Sequence, residues 1–165
     1  MNNHNIKIKN NRGFTLIEAL IGFFILSIGM LGIASLQALS LKAGKTSVYG
    51  SVAMMKVNGL FESMRANPGA LGTYAGPGAA EGCWDTAVCN ETQLANDDVY
   101  WWKQGLKAGL PSSATTSVII TPAVAPSNMA TVNITVSWQE RDKTKSASVG
   151  KTYSTTANIC TVIPC

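Results

Sequence analysis

Histidine is almost absent from this sequence, and charged residues are scarce. The 165 residues include one histidine, His4, and only 13% are charged, a low share for a soluble domain. If the segment that holds His4 is removed, no histidine is left for acid–base catalysis, nucleophile activation or metal ligation. Phosphate-loop, dinucleotide and H-E-x-x-H motifs are absent. Asp97 and Asp98 are adjacent acids, but neighbours on a helix diverge. The sequence therefore argues against an enzyme, and we expect neither a cofactor nor a metal.

Net positive charge is concentrated at the N-terminus. Three of the thirteen basic residues lie there, Lys7, Lys9 and Arg12. The rest of the chain has ten basic and nine acidic residues and is therefore nearly neutral. A second basic cluster comprises Arg141, Lys143, Lys145 and Lys151. Glu140 and Asp142 dilute this cluster and no aromatic residue interleaves it, so we interpret it as a solvated hairpin tip and expect no nucleic-acid partner.

Cysteine is also rare, with four residues in the chain, Cys83, Cys89, Cys160 and Cys165. An even number of cysteines beyond a membrane-active segment suggests disulfides in an oxidising compartment. Three pairings are possible, and we favour Cys83–Cys89 and Cys160–Cys165 because each cysteine has a near neighbour. The spacings C-x5-C and C-x4-C fit a zinc site poorly.

A polar, basic leader, "MNNHNIKIKNNRG", is followed at once by 23 mostly apolar residues, "FTLIEALIGFFILSIGMLGIASL". At about 1.5 Å per residue, this run spans roughly 34 Å as a helix, enough to cross a bilayer. Basic residues ahead of a span hold the N-terminus in the cytoplasm. A secretory signal has a shorter apolar region that ends in a small-residue cleavage site. No such site closes this run, so any cut falls before it, next to Gly13.

The residues Gly13–Glu18, "GFTLIE", between a basic leader and a long apolar helix, resemble the class III signal of type IV pilins and type II secretion pseudopilins. The resemblance implies cleavage by a prepilin peptidase between Gly13 and Phe14, followed by N-methylation of Phe14. It also implies a type IV pilin-like α+β fold, in which a long N-terminal helix, transmembrane in its first half, packs against a small antiparallel sheet.

Glu18 is an acid inside the apolar run. A carboxylate in hydrocarbon costs several kcal/mol unless it is protonated or paired. Cleavage after Gly13 would create an ammonium at Phe14, and Glu18 of one subunit could neutralise the Phe14 terminus of a neighbour. Such a pair would also fix the axial register of packed helices. A tolerated acid near the membrane interface is the alternative.

The rest of the first helix is expected to be amphipathic and to end at Asn67-Pro68-Gly69. Its apolar stripe is predicted to contain Leu41, Val48, Val52, Met55 and Leu60, with Val48 to Met64 in the core. The predicted organisation is a leader (1–13), a transmembrane and assembly helix (14–36), an amphipathic half-helix (37–67) and a periplasmic α+β head (68–165).

In the head, residues 68–82 read as a loop. A helix capped by Asn96 or Asp97 should follow and end at Pro111, with Val99, Trp102, Leu106 and Leu110 on one face. Trp101 points about 100° away from Trp102, so one of the two side chains should stay partly exposed. We expect both side chains to serve ordinary packing; the alternative is that the exposed one stacks on a carbohydrate. The segments "SVIIT", "TVNITVSWQ" and "SVGKTYSTTANI" predict three antiparallel strands.

The second half resembles minor pilins of the PilV type, the type IV pilus modification proteins, in "QLANDDVYWWKQGLKAGLP" and "TVNITVSWQERDK". That resemblance implies a low-abundance subunit that supports pilus initiation, adhesion and twitching motility. Its implied partners are other minor and major pilins, the prepilin peptidase, the inner-membrane assembly platform and, before assembly, lipid. The implied location is the inner membrane, then the extracellular pilus. A type II secretion pseudopilin, a single-span protein with a periplasmic binding head, and a secreted enzyme are the alternatives.

Overall fold

A computed structural model describes residues 13–83, 88–142, 147–162 and 165. They fall into two compact units that divide between Gly44 and Lys45. The first unit is helical. The second contains one further helix, a 3₁₀ helix and one sheet. Of the second basic cluster, Lys143 and Lys145 lie outside the described residues.

Helix α1 runs over Leu16–Ala66, as the uninterrupted pattern before Asn67-Pro68 predicts. Up to Gly44 nearly every residue is exposed. From Lys45 onward one face is buried, and this face contains Ala53, Val57, Leu60, Phe61 and Met64.

The predicted apolar stripe of α1 was largely wrong. Val48 and Met55 are 58% and 63% exposed, and Leu41 is exposed as well, whereas Leu60 is buried and Val52 is partly buried. The buried stripe instead starts at Ala53, which is fully enclosed. A small side chain lets other elements approach the helix closely, and hydrophobicity counts alone do not reveal that preference.

Residues Pro68–Ala75 form a 3₁₀ helix, not the loop that their Gly and Pro content suggests. Pro68 is at its start, where the missing N–H costs nothing. Leu71 and Tyr74 are buried in the common core, and Asn67 donates its side-chain N–H to the carbonyl oxygen of Glu91 at 2.7 Å. These contacts keep the segment ordered where its composition favours turns.

Helix α2 runs over Glu91–Gly109 and begins about six residues before the predicted cap. Asn90 and Gln93 form a reciprocal capping box: the Asn90 side chain accepts from Gln93 N at 2.9 Å, and the Gln93 side chain accepts from Asn90 N at 3.1 Å. Asp97, expected as a cap, is a buried residue inside the helix. The predicted apolar face is confirmed, since Val99, Trp102, Leu106 and Leu110 are all buried.

The sheet has three antiparallel strands in the order β1-β2-β3: β1 (Thr115–Thr121), β2 (Met129–Asp142) and β3 (Ala147–Cys160). The predicted alternation in β2 is confirmed, because Val132, Ile134, Val136 and Trp138 are buried. The intervening polar residues pair across the strands, for instance Thr135 with Ser154 and Ser137 with Thr152. The part of α1 from Lys45 onward shares its core with this sheet. A long N-terminal helix combined with a small antiparallel sheet gives a type IV pilin-like α+β fold, as expected.

Two disulfides join Cys83 to Cys89 and Cys160 to Cys165, so no cysteine is free. The first lies between the 3₁₀ helix and α2 in the chain. The second lies at the end of β3, where the Thr161 N–H and hydroxyl both donate to the carbonyl oxygen of Asn128.

Reduction is expected to destabilise the second unit. Each disulfide closes a loop of about six residues, and the chain-entropy relation gives about 2 kcal/mol for each. The unit from Lys45 to Cys165 should therefore melt at a lower temperature with a thiol reductant than without. The double variants Cys83→Ser/Cys89→Ser and Cys160→Ser/Cys165→Ser separate the two contributions. Equal melting of oxidised and reduced protein would contradict the prediction.

Candidate assembly site at the N-terminus

The start of α1 is held by a reciprocal hydrogen-bond pattern between Thr15 and Glu18. The Glu18 N–H donates to the Thr15 hydroxyl oxygen at 3.3 Å. In return, Oε2 of Glu18 accepts from the Thr15 hydroxyl at 3.1 Å and from the Thr15 N–H at 3.4 Å. This is a capping box, and the T-x-x-E spacing in the sequence was the signal that could have revealed it.

Up to Leu36, the helix that follows is mostly apolar on all sides, and nearly every residue is exposed. Phe14 is 82% exposed, and large apolar side chains remain exposed along the helix as far as Leu41. The Ser27 and Ser35 hydroxyls donate to the helix's own carbonyl oxygens, those of Phe23 and Gly32, each at 2.8 Å. Because both hydroxyls are hydrogen-bonded within the helix, they do not depend on water, which a bilayer interior lacks.

By length and composition, α1 contains a segment that could cross a membrane. A signal sequence or a buried core helix could pass the same test, but no part of the most apolar segment is buried. Water is a poor solvent for such a surface, so it requires lipid or neighbouring helices.

Comparison with known families identifies the segment that contains this site. The chain carries a prokaryotic N-terminal methylation motif. The motif matches residues 8–34, which include Gly13, Phe14, Thr15 and Glu18. No curated protein and no solved structure matches the chain.

The methylation motif supports a protein of the type IV pilin or pseudopilin type. It implies processing by a prepilin peptidase and assembly with other pilins, and together with the exposed apolar helix it fits membrane anchoring. Motif and fold together point to a structural protein and away from an enzyme family.

The structure places the predicted site residues in two groups. Gly13, Phe14 and Glu18 lie within six consecutive residues of the first unit, and the four cysteines lie in the second. Within the described ranges, no three His, Cys, Asp or Glu side chains are grouped so as to hold a metal ion.

A buried polar network in the second unit was not anticipated. The Tyr74 hydroxyl lies 2.8 Å from Oδ2 of Asp98 and 3.1 Å from the carbonyl oxygen of Ser63, both of which can accept its proton. Tyr74 has no exposed surface. Burial raises the pKa of Tyr74 above its usual range, and the hydrogen bond and negative charge of Asp98 raise it further. The network ties the 3₁₀ helix to both α1 and α2.

Asp97 also hydrogen-bonds the segment that precedes α2. Its Oδ1 accepts from the backbone N–H groups of Glu81 and Gly82 at 2.8 and 3.1 Å. The Ala79 N–H donates to the carbonyl oxygen of Asn96 at 3.1 Å. Asp97 therefore anchors the chain just ahead of Cys83, a role that spacing along the sequence does not reveal.

The Tyr74 network predicts a loss of stability in alkali. Below the unfolded pKa of about 10, Tyr74 is protonated in both states, so its stabilising contribution is complete. Above that pH the unfolded chain releases the proton while the folded one retains it, which lowers stability by up to about 1.4 kcal/mol per pH unit. Tyr74→Phe should cost about 1–3 kcal/mol at neutral pH and flatten this alkaline decline.

Urea unfolding between neutral pH and pH 11 measures both effects. Tyr100→Phe, which removes a hydroxyl from a partly exposed position on α2, is the matched control and should leave the decline unchanged. An unchanged decline in Tyr74→Phe would contradict the assignment.

Proposed function

We propose that the chain is a minor pilin of a type IV pilus, of the PilV type. It is made as a prepilin, cut between Gly13 and Phe14, methylated on Phe14 and incorporated at low abundance. In this role it supports pilus initiation, adhesion and twitching motility. The observation that carries the proposal is the methylation motif at the start of an exposed apolar helix.

Charge and topology support the direction of insertion. Lys7, Lys9 and Arg12 precede the apolar run, and basic flanks stay in the cytoplasm. The second unit then lies in the periplasm. Its two disulfides suit that oxidising compartment.

The proposed assembly contact joins Glu18 of one subunit to the Phe14 ammonium of the next. Within one chain the Glu18 carboxylate is bonded only to Thr15 among the described residues, and these bonds leave its negative charge uncompensated. Burial among neighbouring helices would be costly for this charge alone and for an ammonium alone, but much less for the pair. We expect this contact to select one stagger between helices.

The N-terminus of the mature protein is the first test. Mass spectrometry of membrane and sheared-filament fractions should find an N-methylated Phe14 in both. An intact Met1 confined to the membrane would overturn the proposal and favour a single-span membrane protein with a binding head.

Deletion of the coding gene distinguishes a pilus from a secretion pseudopilus. A minor pilin deletion should reduce surface pili and twitching and leave type II secretion of exoproteins intact. Loss of secretion with normal pili would assign the chain to the pseudopilins instead.

A further inference from the structure

A cleft of about 370 Å³ opens on the second unit between α1 and α2. Its size lies within the range of small-molecule sites, about 300–1,000 Å³. The residues that give it chemical character are Lys56, Gly59 and Ser63 from α1 and Asp98, Trp101 and Trp102 from α2. None of them belongs to the N-terminal assembly site.

The aromatic walls of the cleft differ from each other. Trp102 is 7% exposed and packs in the core, whereas Trp101 is 50% exposed. Core packing therefore accounts for Trp102 but not for Trp101. A half-exposed indole on a rigid helix offers a flat apolar surface to a ligand.

The polar groups that a ligand can reach in the cleft are a cation and an anion. The Nε1–H of Trp102 has no acceptor among the described residues, but it is fully buried and therefore out of reach of a ligand. Lys56 is half-buried, and its Nζ lies close to Gly105, 2.8 Å from the position a Cβ would take there. Asp98 accepts the Tyr74 hydroxyl through Oδ2, which fixes the orientation of its carboxylate.

These groups favour a neutral ligand with hydroxyl groups. One cation and one anion line the cleft, so neither an anionic nor a cationic ligand is preferred. A hydroxyl can accept from Lys56 and donate to Asp98, because it is both donor and acceptor. An apolar side chain of a partner protein would instead bury the charges of Lys56 and Asp98 without offering either a hydrogen bond.

We propose that this cleft binds a neutral saccharide of one or two rings, with the apolar face of one ring stacked on Trp101. Asp98, Lys56 and Ser63 hydrogen-bond the ring hydroxyls. The binding does not depend on the pilus function, because the cleft lies wholly within the second unit.

The test uses the full chain in a detergent without a sugar headgroup. Cellobiose, maltose, lactose and N,N′-diacetylchitobiose are titrated separately, with saturation-transfer NMR and tryptophan fluorescence as readouts. At least one disaccharide is expected to bind saturably. Trp101→Ala should weaken that binding about three- to tenfold, the range of an aromatic stacking contact.

Two control variants make the test specific to the cleft. Leu94→Ala removes another exposed apolar side chain of α2 that does not line the cleft, and it should bind like the unmodified chain. Lys56→Ala should weaken binding, and Lys107→Ala, an exposed lysine of α2, should not. No saturable binding of any of the four sugars, or equal binding by Trp101→Ala, would overturn the inference. Sugar binding by a chain that never enters filaments would support the saccharide site but contradict the proposed pilin function.

Discussion

Glu18→Gln is expected to exclude the chain from filaments without affecting membrane insertion or cleavage. Glutamine retains a side-chain oxygen that can accept from the Thr15 N–H, as Oε2 of Glu18 does now. The helix cap therefore survives, but the charge that would neutralise the Phe14 ammonium of a neighbour is lost. Leaving one charge of a buried pair uncompensated costs about 3–5 kcal/mol, which corresponds to a loss of incorporation of more than about a hundredfold.

The measurement is the ratio of this chain in sheared filaments to processed chain in membranes, by quantitative mass spectrometry. Glu18→Ala should behave like Glu18→Gln, because both remove the charge. Full incorporation of either variant would rule out the charge pair.

Thr15→Val is the matched variant for the capping role of Glu18. It removes the hydroxyl that accepts from Glu18 N and donates to Oε2 but retains the carboxylate charge. Loss of a cap costs about 0.5–2 kcal/mol at a helix terminus, so we expect a much smaller decrease in incorporation than for Glu18→Gln. The opposite order, with Thr15→Val excluded and Glu18→Gln incorporated, would assign Glu18 to the cap alone.

Gly78→Ala is expected to have the largest effect on the stability of the second unit. Gly78 has φ +74°, a left-handed conformation that costs other residues about 1–2 kcal/mol. A Cβ there would lie 2.6 Å from Tyr100 N and 2.8 Å from Cγ1 of Val99, both on α2. Overpacking of this kind costs a further 1–3 kcal/mol or so. The total is about 2–5 kcal/mol, a decrease in melting temperature of roughly 10 °C or more.

The surrounding hydrogen bonds prevent the segment from moving away from α2. Nζ of Lys103 donates to the carbonyl oxygens of Gly76 and Pro77 at 3.2 and 2.9 Å, and Ala79 N is bonded to α2 on the other side. Burial, and secondarily the charge of Lys107, lower the pKa of Lys103. The substitution at Gly78 must therefore displace the helix or break these bonds.

Gly82→Ala isolates the steric part of this effect. Gly82 has nearly the same backbone conformation, φ +73°, but a Cβ there meets nothing within 4 Å. We expect it to cost only the conformational term, about 1–2 kcal/mol. Urea unfolding of both variants gives the difference directly, and equal losses would mean that α2 accommodates the methyl group.

The sequence alone was enough to locate the N-terminal motif, the three strands and the apolar face of α2. Gly13, Phe14 and Glu18 lie in one short segment within the matched methylation motif, so no distant contact is needed to recognise the pattern. The strand alternation at Val132–Trp138 and the apolar face of α2 are likewise local periodicities, which a sequence displays directly.

Tertiary structure decided which groups meet. α1 has apolar residues on several faces, so periodicity did not distinguish the stripe of Ala53 and Val57 from that of Val48 and Met55; only the packing of the sheet and α2 against the helix does. Aspartate often caps helices, but Asp97 is buried inside α2. The preceding loop folds back on the helix, so Asp97 accepts hydrogen bonds from backbone N–H groups of that loop. Lys56 and Trp101, 45 positions apart, share a cleft for the same reason. Side-chain spacing within one element follows from backbone geometry, but contacts between elements depend on how closely particular side chains allow them to approach.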